Sequence, residues 1–225
     1  MLKKISLALL VALIGVGAVV ASRPSTFRVE RSVTIAAPVD LPFGIVNDFH
    51  KWKFWSPWAS KDPKMQTTFD GSFAGPGAIY TWSGNDQVGK GRMTIVDAKL
   101  YESIQIQLEF LEPWAATNTT LFTFQPTPDG SIKVSWAMEG NNTFLGKAMS
   151  LVMDMDGMIG KDFEQGLATI KSLTEKEAKN RLEREALLKA RAEAEAAKAA
   201  HGGPARAHRA SPGGHHHAVK HPLFP

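Results

Sequence analysis

At 225 residues, 44% of them hydrophobic and 21% charged, the chain has the composition of a globular protein with one good core or at most two small domains, which excludes wholesale disorder. The net charge of +4 belongs to the ends: residues 27–174 carry 13 Lys+Arg against 16 Asp+Glu, whereas residues 175–225 carry 10 against 6, so the mildly acidic middle does not read as a phosphate-gripping face. With no cysteine present, disulfides, thiolate metal sites and cysteine nucleophiles are excluded together.

The chain opens on a short basic head, Lys3 and Lys4, followed by 17 uncharged residues from Ile5 to Ala21 interrupted only by Ser6, Gly15 and Gly17. The pattern predicts an N-terminal apolar helix. It is either a single-pass anchor near the short limit for spanning a bilayer or a signal segment cleaved after small residues such as Val19-Val-Ala21. In both cases Lys3 and Lys4 stay cytoplasmic and the rest lies across the membrane. Residues 1–26 are therefore assigned as anchor or signal. The protein is expected at the cell envelope, membrane-anchored, or secreted or periplasmic if the segment is cleaved.

Phe27, Val29, Val33 and Ile35 alternate with polar residues and predict a strand, closed by Ala36-Ala-Pro38. Pro38 to Phe49 has helical spacing at Leu41, Ile45 and Phe49, and His50 to Pro63 reads as a short helix or turn. Six strands follow at Met65–Asp70, Ala78–Ser83, Gly89–Lys99, Ser103–Leu111, Thr117–Gln125 and Ser131–Glu139, separated by turn residues. An antiparallel meander with one buried face is expected. From Phe144 the period becomes helical, with Leu145, Met149, Val152, Ile159, Phe163, Leu167 and Ile170 on one stripe. Residues 175–200 continue as a charged helical extension able to meet a protein partner, and residues 201–225, rich in His, Pro and Gly, read as a disordered tail. The expected class is α+β, a curved sheet wrapped around a long C-terminal helix.

The opening Phe27-Arg-Val-Glu-Arg-Ser-Val-Thr-Ile-Ala-Ala-Pro38 resembles the first strand and turn of the START-like (SRPBCC) superfamily, closest to its polyketide cyclase/dehydrase-like bacterial branch. Val46-Asn-Asp-Phe49, Trp55-Ser-Pro-Trp58, Trp82-Ser-Gly-Asn85, Val88-Gly-Lys-Gly91 and Gly160-Lys-Asp-Phe163 carry the same likeness, which covers residues 27–174 in order. It implies a helix-grip fold with a cavity between sheet and helix, of the kind that commonly holds lipids, sterols, polyketides or other apolar molecules. The resemblance supplies no catalytic set that matches position by position.

The candidate lining residues are Trp55, Trp58, Trp82, Phe110, Trp114, Trp136, Met149 and Met153. Indoles suit a site that is half wet and half apolar, and thioethers suit irregular apolar ligands. Each is individually as well explained by core packing. Carboxylates at Asp154, Asp156, Asp162, Glu109 and Glu112, and the lone domain histidine His50, are the candidates for acid–base chemistry if the domain is a cyclase or dehydratase. The tail histidines, including His215-His-His217, hold no fixed geometry, and neither a metal site nor a cofactor is assigned. The expected function is an envelope-located module that binds an apolar small molecule or lipid. The alternatives are a cyclase/dehydrase-like enzyme using a cavity carboxylate or His50, and an interaction protein acting through residues 175–200.

Overall fold

Seven segments in which side chains alternate with a period of two become strands: β1 (Thr26–Ile35), β2 (Gln66–Gly71), β3 (Ala78–Ser83), β4 (Lys90–Lys99), β5 (Ser103–Glu112), β6 (Ala116–Pro126) and β7 (Ile132–Asn141). The computed structural model describes residues 2–152 and 154–201. Its strands form one antiparallel sheet in the order β1-β7-β6-β5-β4-β3-β2. Strands β2 to β7 are the expected meander. β1 instead returns to pair with the last strand, Val29 opposite Met138 and Ile35 opposite Ile132.

Between β1 and β2 lie α2 (Asp40–Val46), a 3-10 turn (Phe49–Phe54) and α3 (Pro57–Lys61). The helix expected from Pro38 to Phe49 is thus shorter. Asp48 adopts an extended backbone and its carboxylate accepts from the His50 amide at 3.0 Å, which starts the 3-10 turn instead.

Register decides which side chains face inward, because residues paired across strands share a face. One inner row runs Val29, Met138, Thr120, Ile106 and Ile95, and the next runs Arg31, Trp136, Phe122 and Ile104. All but Arg31 are buried. The long helix α5 (Met155–His201) covers these rows with Phe163, Leu167, Ile170, Thr174 and Ala178, buried at steps of three or four. The architecture is the expected α+β helix grip.

The helical stripe expected from Leu145 through Val152 differs in one respect. A short α4 (Phe144–Met149) is separated from α5. Thr143 caps the first, accepting from Gly146 N–H at 3.1 Å, and Asp154 caps the second, accepting from Gly157 N–H at 2.9 Å. Two caps make two helices, so Val152, 80% exposed, leaves the buried stripe.

Before the sheet, α1 (Leu2–Ala21) is exposed along most of its length, and it is the one described helix long and apolar enough to cross a membrane. It packs against α4. The chain leaving it is held by three bonds: Asn142 N–H to Ser25 O at 2.8 Å, Asn142 Nδ2 to Pro24 O at 3.2 Å, and Lys147 Nζ to Ser25 Oγ at 3.1 Å. The chain divides into two compact units after Arg181. Residues 182–200 of the second unit are helical and exposed throughout. The tail expected to be disordered, including His215-His-His217, lies outside the described residues beyond position 201.

Candidate ligand-binding interior

The 3-10 turn and α3 deliver a row of indoles onto the inner face of the sheet. Trp52 and Trp55 are buried there, their ring N–H groups donating to Val46 O at 2.9 Å and Ile45 O at 3.3 Å. They and Trp58 meet Trp136 edge-on, with centroids 6.5, 5.5 and 5.9 Å away. Trp136 in turn stacks on Phe163 of α5 at 4.0 Å and on Phe122 at 4.9 Å. Such offset and edge contacts contribute about 0.5–1.5 kcal/mol each beyond area burial.

Trp136 is 2% exposed, and its Nε1–H is buried without an acceptor. An unmade hydrogen bond of that kind costs about 1–3 kcal/mol. Asn47 Oδ1 is buried and unpartnered as well.

A second aromatic group continues toward β2. Phe49 links Trp52, at 5.2 Å, to Tyr80, at 5.8 Å, and Trp82 stacks on Tyr80 and meets Phe110 edge-on. Trp82 lies flat across β4 only because position 91 is glycine. A Cβ there would overlap both the indole and the Glu109 carbonyl. Burial pushes the Tyr80 phenol up to about 12, so it stays neutral and keeps its O–H as a donor. Asn118 and Thr120 add buried polar groups on the inner face of β6.

Polar ties hold α5 over this face. Arg31 is the one cation in the otherwise apolar inner set of β1. Its guanidinium bonds Asp156 at 2.9 Å and Glu164 at 2.8 Å. Gly160 sits between those two carboxylates along the helix, and a Cβ there would overlap the guanidinium, so residues at steps of four form one seat. Farther along, Lys171 donates to Thr34 O at 2.7 Å, Glu175 accepts from Ala36 N–H at 2.8 Å, and Arg181 pairs with Asp40 at 2.9 Å. The Arg31 bonds hold Asp156 below its ordinary range, and Lys171 with the Ala36 amide does the same for Glu175.

Of the residues singled out in the sequence, Trp55, Trp58 and Trp136 converge in one aromatic group, while Trp82 and Phe110 pair in the other. The remainder lie elsewhere. Trp114 sits in the turn between β5 and β6 and is 72% exposed; Met149 is exposed at the end of α4. A turn residue has no inner face to point to, which corrects the expectation that Trp114 walls the interior. Met153 lies outside the described residues. The proposed acid–base groups have structural partners. Asp162 pairs with Lys61 at 2.6 Å, Glu109 with Arg92 at 2.7 Å and Glu112 with Lys90 at 3.0 Å, while Asp156 holds Arg31 and Asp154 caps α5. His50 lies half-exposed outside the indole group, stacked between Phe69 and Phe73 at 4.2 and 4.6 Å, with its Nδ1 3.0 Å from Asp48 Oδ1. Among the described residues no group of His, Asp or Glu is arranged to hold a metal ion.

Further inward-facing residues follow from strand parity and register. Arg31 falls at an inward position of β1 by parity alone, and Tyr80, Phe122 and Asn118 fall on inner rows once register is known. Two depressions open to solvent. One of about 510 Å³ is lined by residues 150–152 and 154–156, and one of about 530 Å³ lies around Phe27, Gly140 and Asn118.

A family profile described as polyketide cyclase / dehydrase and lipid transport matches residues 26–175. Among curated proteins there is no match. The solved structure of a hypothetical protein from Helicobacter pylori is similar with a TM-score of 0.51 at 6% identity, covering 66% of this chain and 88% of that one. A protein from Chromobacterium violaceum is similar at 18% identity and TM-score 0.46, covering 68% and 99%. The major latex-like protein 151 of Panax ginseng is similar at 10% identity and TM-score 0.48, covering 67% and 99%.

Proposed function

This chain belongs to the polyketide cyclase/dehydrase and lipid transport family, and from that premise we propose that it holds an apolar small molecule or lipid between sheet and helix at the cell envelope, without transforming it. The observation that carries the reading is the unpartnered, buried Nε1–H of Trp136 on a wall otherwise made of aromatic and aliphatic side chains. Binding sites of this kind combine apolar walls with a few fixed polar groups. A ligand with an apolar body and one hydrogen-bond acceptor would satisfy the indole, with Tyr80, Asn118 and Thr120 as further polar contacts. Trp55, Trp58, Trp82, Phe110 and Trp136 are the proposed wall. Placement at the envelope, on the non-cytoplasmic side, is supported by α1 together with Lys3 and Lys4.

The test is native mass spectrometry of full-length protein extracted gently from membranes. A lipid-sized adduct is expected. Trp136→Phe, which keeps a ring and deletes the donor, is expected to weaken binding of that ligand by roughly tenfold, the value of about one hydrogen bond. A bare chain mass in wild type, with no uptake of fluorescent fatty-acid or sterol probes, would refute the reading.

A further inference from the structure

One group of exposed apolar residues lies at the end of the sheet where α1 joins it. In an antiparallel meander, the start of β1, the end of β7, the start of β6 and the end of β5 lie together. The β5–β6 turn with Trp114 is therefore at the same end as the strand that leaves α1. It lies roughly 12 Å away across the sheet, at about 4.8 Å per strand. The α4–α5 joint belongs to this end as well. Asp156 bonds Arg31, Glu175 bonds Ala36 and Arg181 bonds Asp40, so α5 runs alongside β1 in the same direction and begins near the start of β1. Phe144, Leu151, Val152, Met155 and Met158 in and beside that joint are all exposed, as is Trp114.

We propose that this end of the domain rests on the bilayer that α1 spans, with the α4–α5 joint and the Trp114 turn immersed at the level of the lipid headgroups. The proposal rests on the membrane-anchor reading of α1. Its occupant follows from continuity. α1 packs against α4, and Pro24 and Ser25 are bonded directly to Asn142 and Lys147. The apolar joint therefore begins where the spanning segment ends. The chemistry fits an interface. Tryptophan favours the headgroup level, and apolar faces bearing Trp, Phe and Leu bury to a depth of about 5–10 Å there. Arg23 and Lys147 lie at this end, and its carboxylates are engaged, Asp156 by Arg31, Asp154 by the Gly157 amide, Glu112 by Lys90 and Glu139 by Arg28. The depressions around residues 150–152 and 154–156 and around Gly140 are at this end.

Because the chain has no cysteine, single labels can be placed without background. Full-length Trp114→Cys, Val152→Cys, Leu13→Cys and Leu100→Cys, each carrying an environment-sensitive fluorophore, are reconstituted into phosphatidylcholine/phosphatidylglycerol vesicles containing headgroup-level spin-labelled lipid. Leu100 is exposed in the β4–β5 turn at the opposite end of the sheet. The labels at 114 and 152 are expected to be blue-shifted and quenched several-fold more strongly than the label at 100. If Leu13 reports lipid while 114 or 152 behaves like 100, docking is refuted and the anchor stands. If Leu13 reports water or is cleaved away, the anchor reading fails and the proposal with it.

Discussion

Arg31 ties the first strand to the start of the long helix through one side chain. It takes an inward position on β1 that an aliphatic residue would ordinarily fill, and two helix carboxylates with an intervening glycine receive it. The pairs are partly exposed, so each is worth at most a modest amount at physiological salt. Their pH dependence has a definite sign. Asp156 and Glu175 are held below their ordinary values of 3.8 and 4.5. The stability they contribute is therefore fully present above those values and is lost as pH falls through the depressed folded-state values. Thermal denaturation followed from pH 7 down to pH 3 is expected to show the melting temperature dropping below about pH 4.5. Arg31→Met should flatten the part of that drop belonging to Asp156. A variant with an unchanged slope would remove Asp156 from the account. Tyr80, by contrast, stays neutral across this whole range, its phenol being pushed up to about 12.

At the scale of elements, the boundary between α4 and α5 is a contest between two local signals. Methionine and valine at helical spacing argue for one continuous helix, whereas the Asp154 carboxylate satisfies the Gly157 amide and starts a new one. Asp154→Ala is expected to cost about 1 kcal/mol of stability, as N-cap removal generally does, measured by chemical denaturation. The strands were legible because alternation survives without knowledge of partners. Ser103–Glu112 and Ile132–Asn141 agree with their expected bounds to within two residues. The stripe of Phe163, Leu167 and Ile170 was legible for the same reason. What depended on tertiary context was not. Arg31's partners are 125 and 133 positions away, the orphaned indole of Trp136 is defined only by its neighbours, and Trp114 in a turn looks no different in sequence from a tryptophan on a strand. The cap at Asp154 was legible in principle but was outweighed by the apolar period around it.

For the whole molecule, truncation can examine what the second unit contributes to the first. Residues 182–200 are exposed throughout, so a chain stopped after Arg181 is expected to keep the melting temperature of the full chain by circular dichroism. A clear fall would show that the extension supports the domain. A partner that binds through residues 182–200 would be lost on the same truncation, while ligand binding in the interior persists. The return of β1 to the far side of the sheet has a consequence in time. Val29 pairs with Met138, so the first strand made is completed by the last. If the domain crosses a membrane behind α1, β1 emerges ahead of the other strands with its hydrogen-bonding edge unmatched and must wait while more than a hundred residues follow. Closing so long a loop is slow and leaves the strand exposed in the meantime. For that interval the exposed edge of β1 is open to misassembly, whatever the stability of the finished domain.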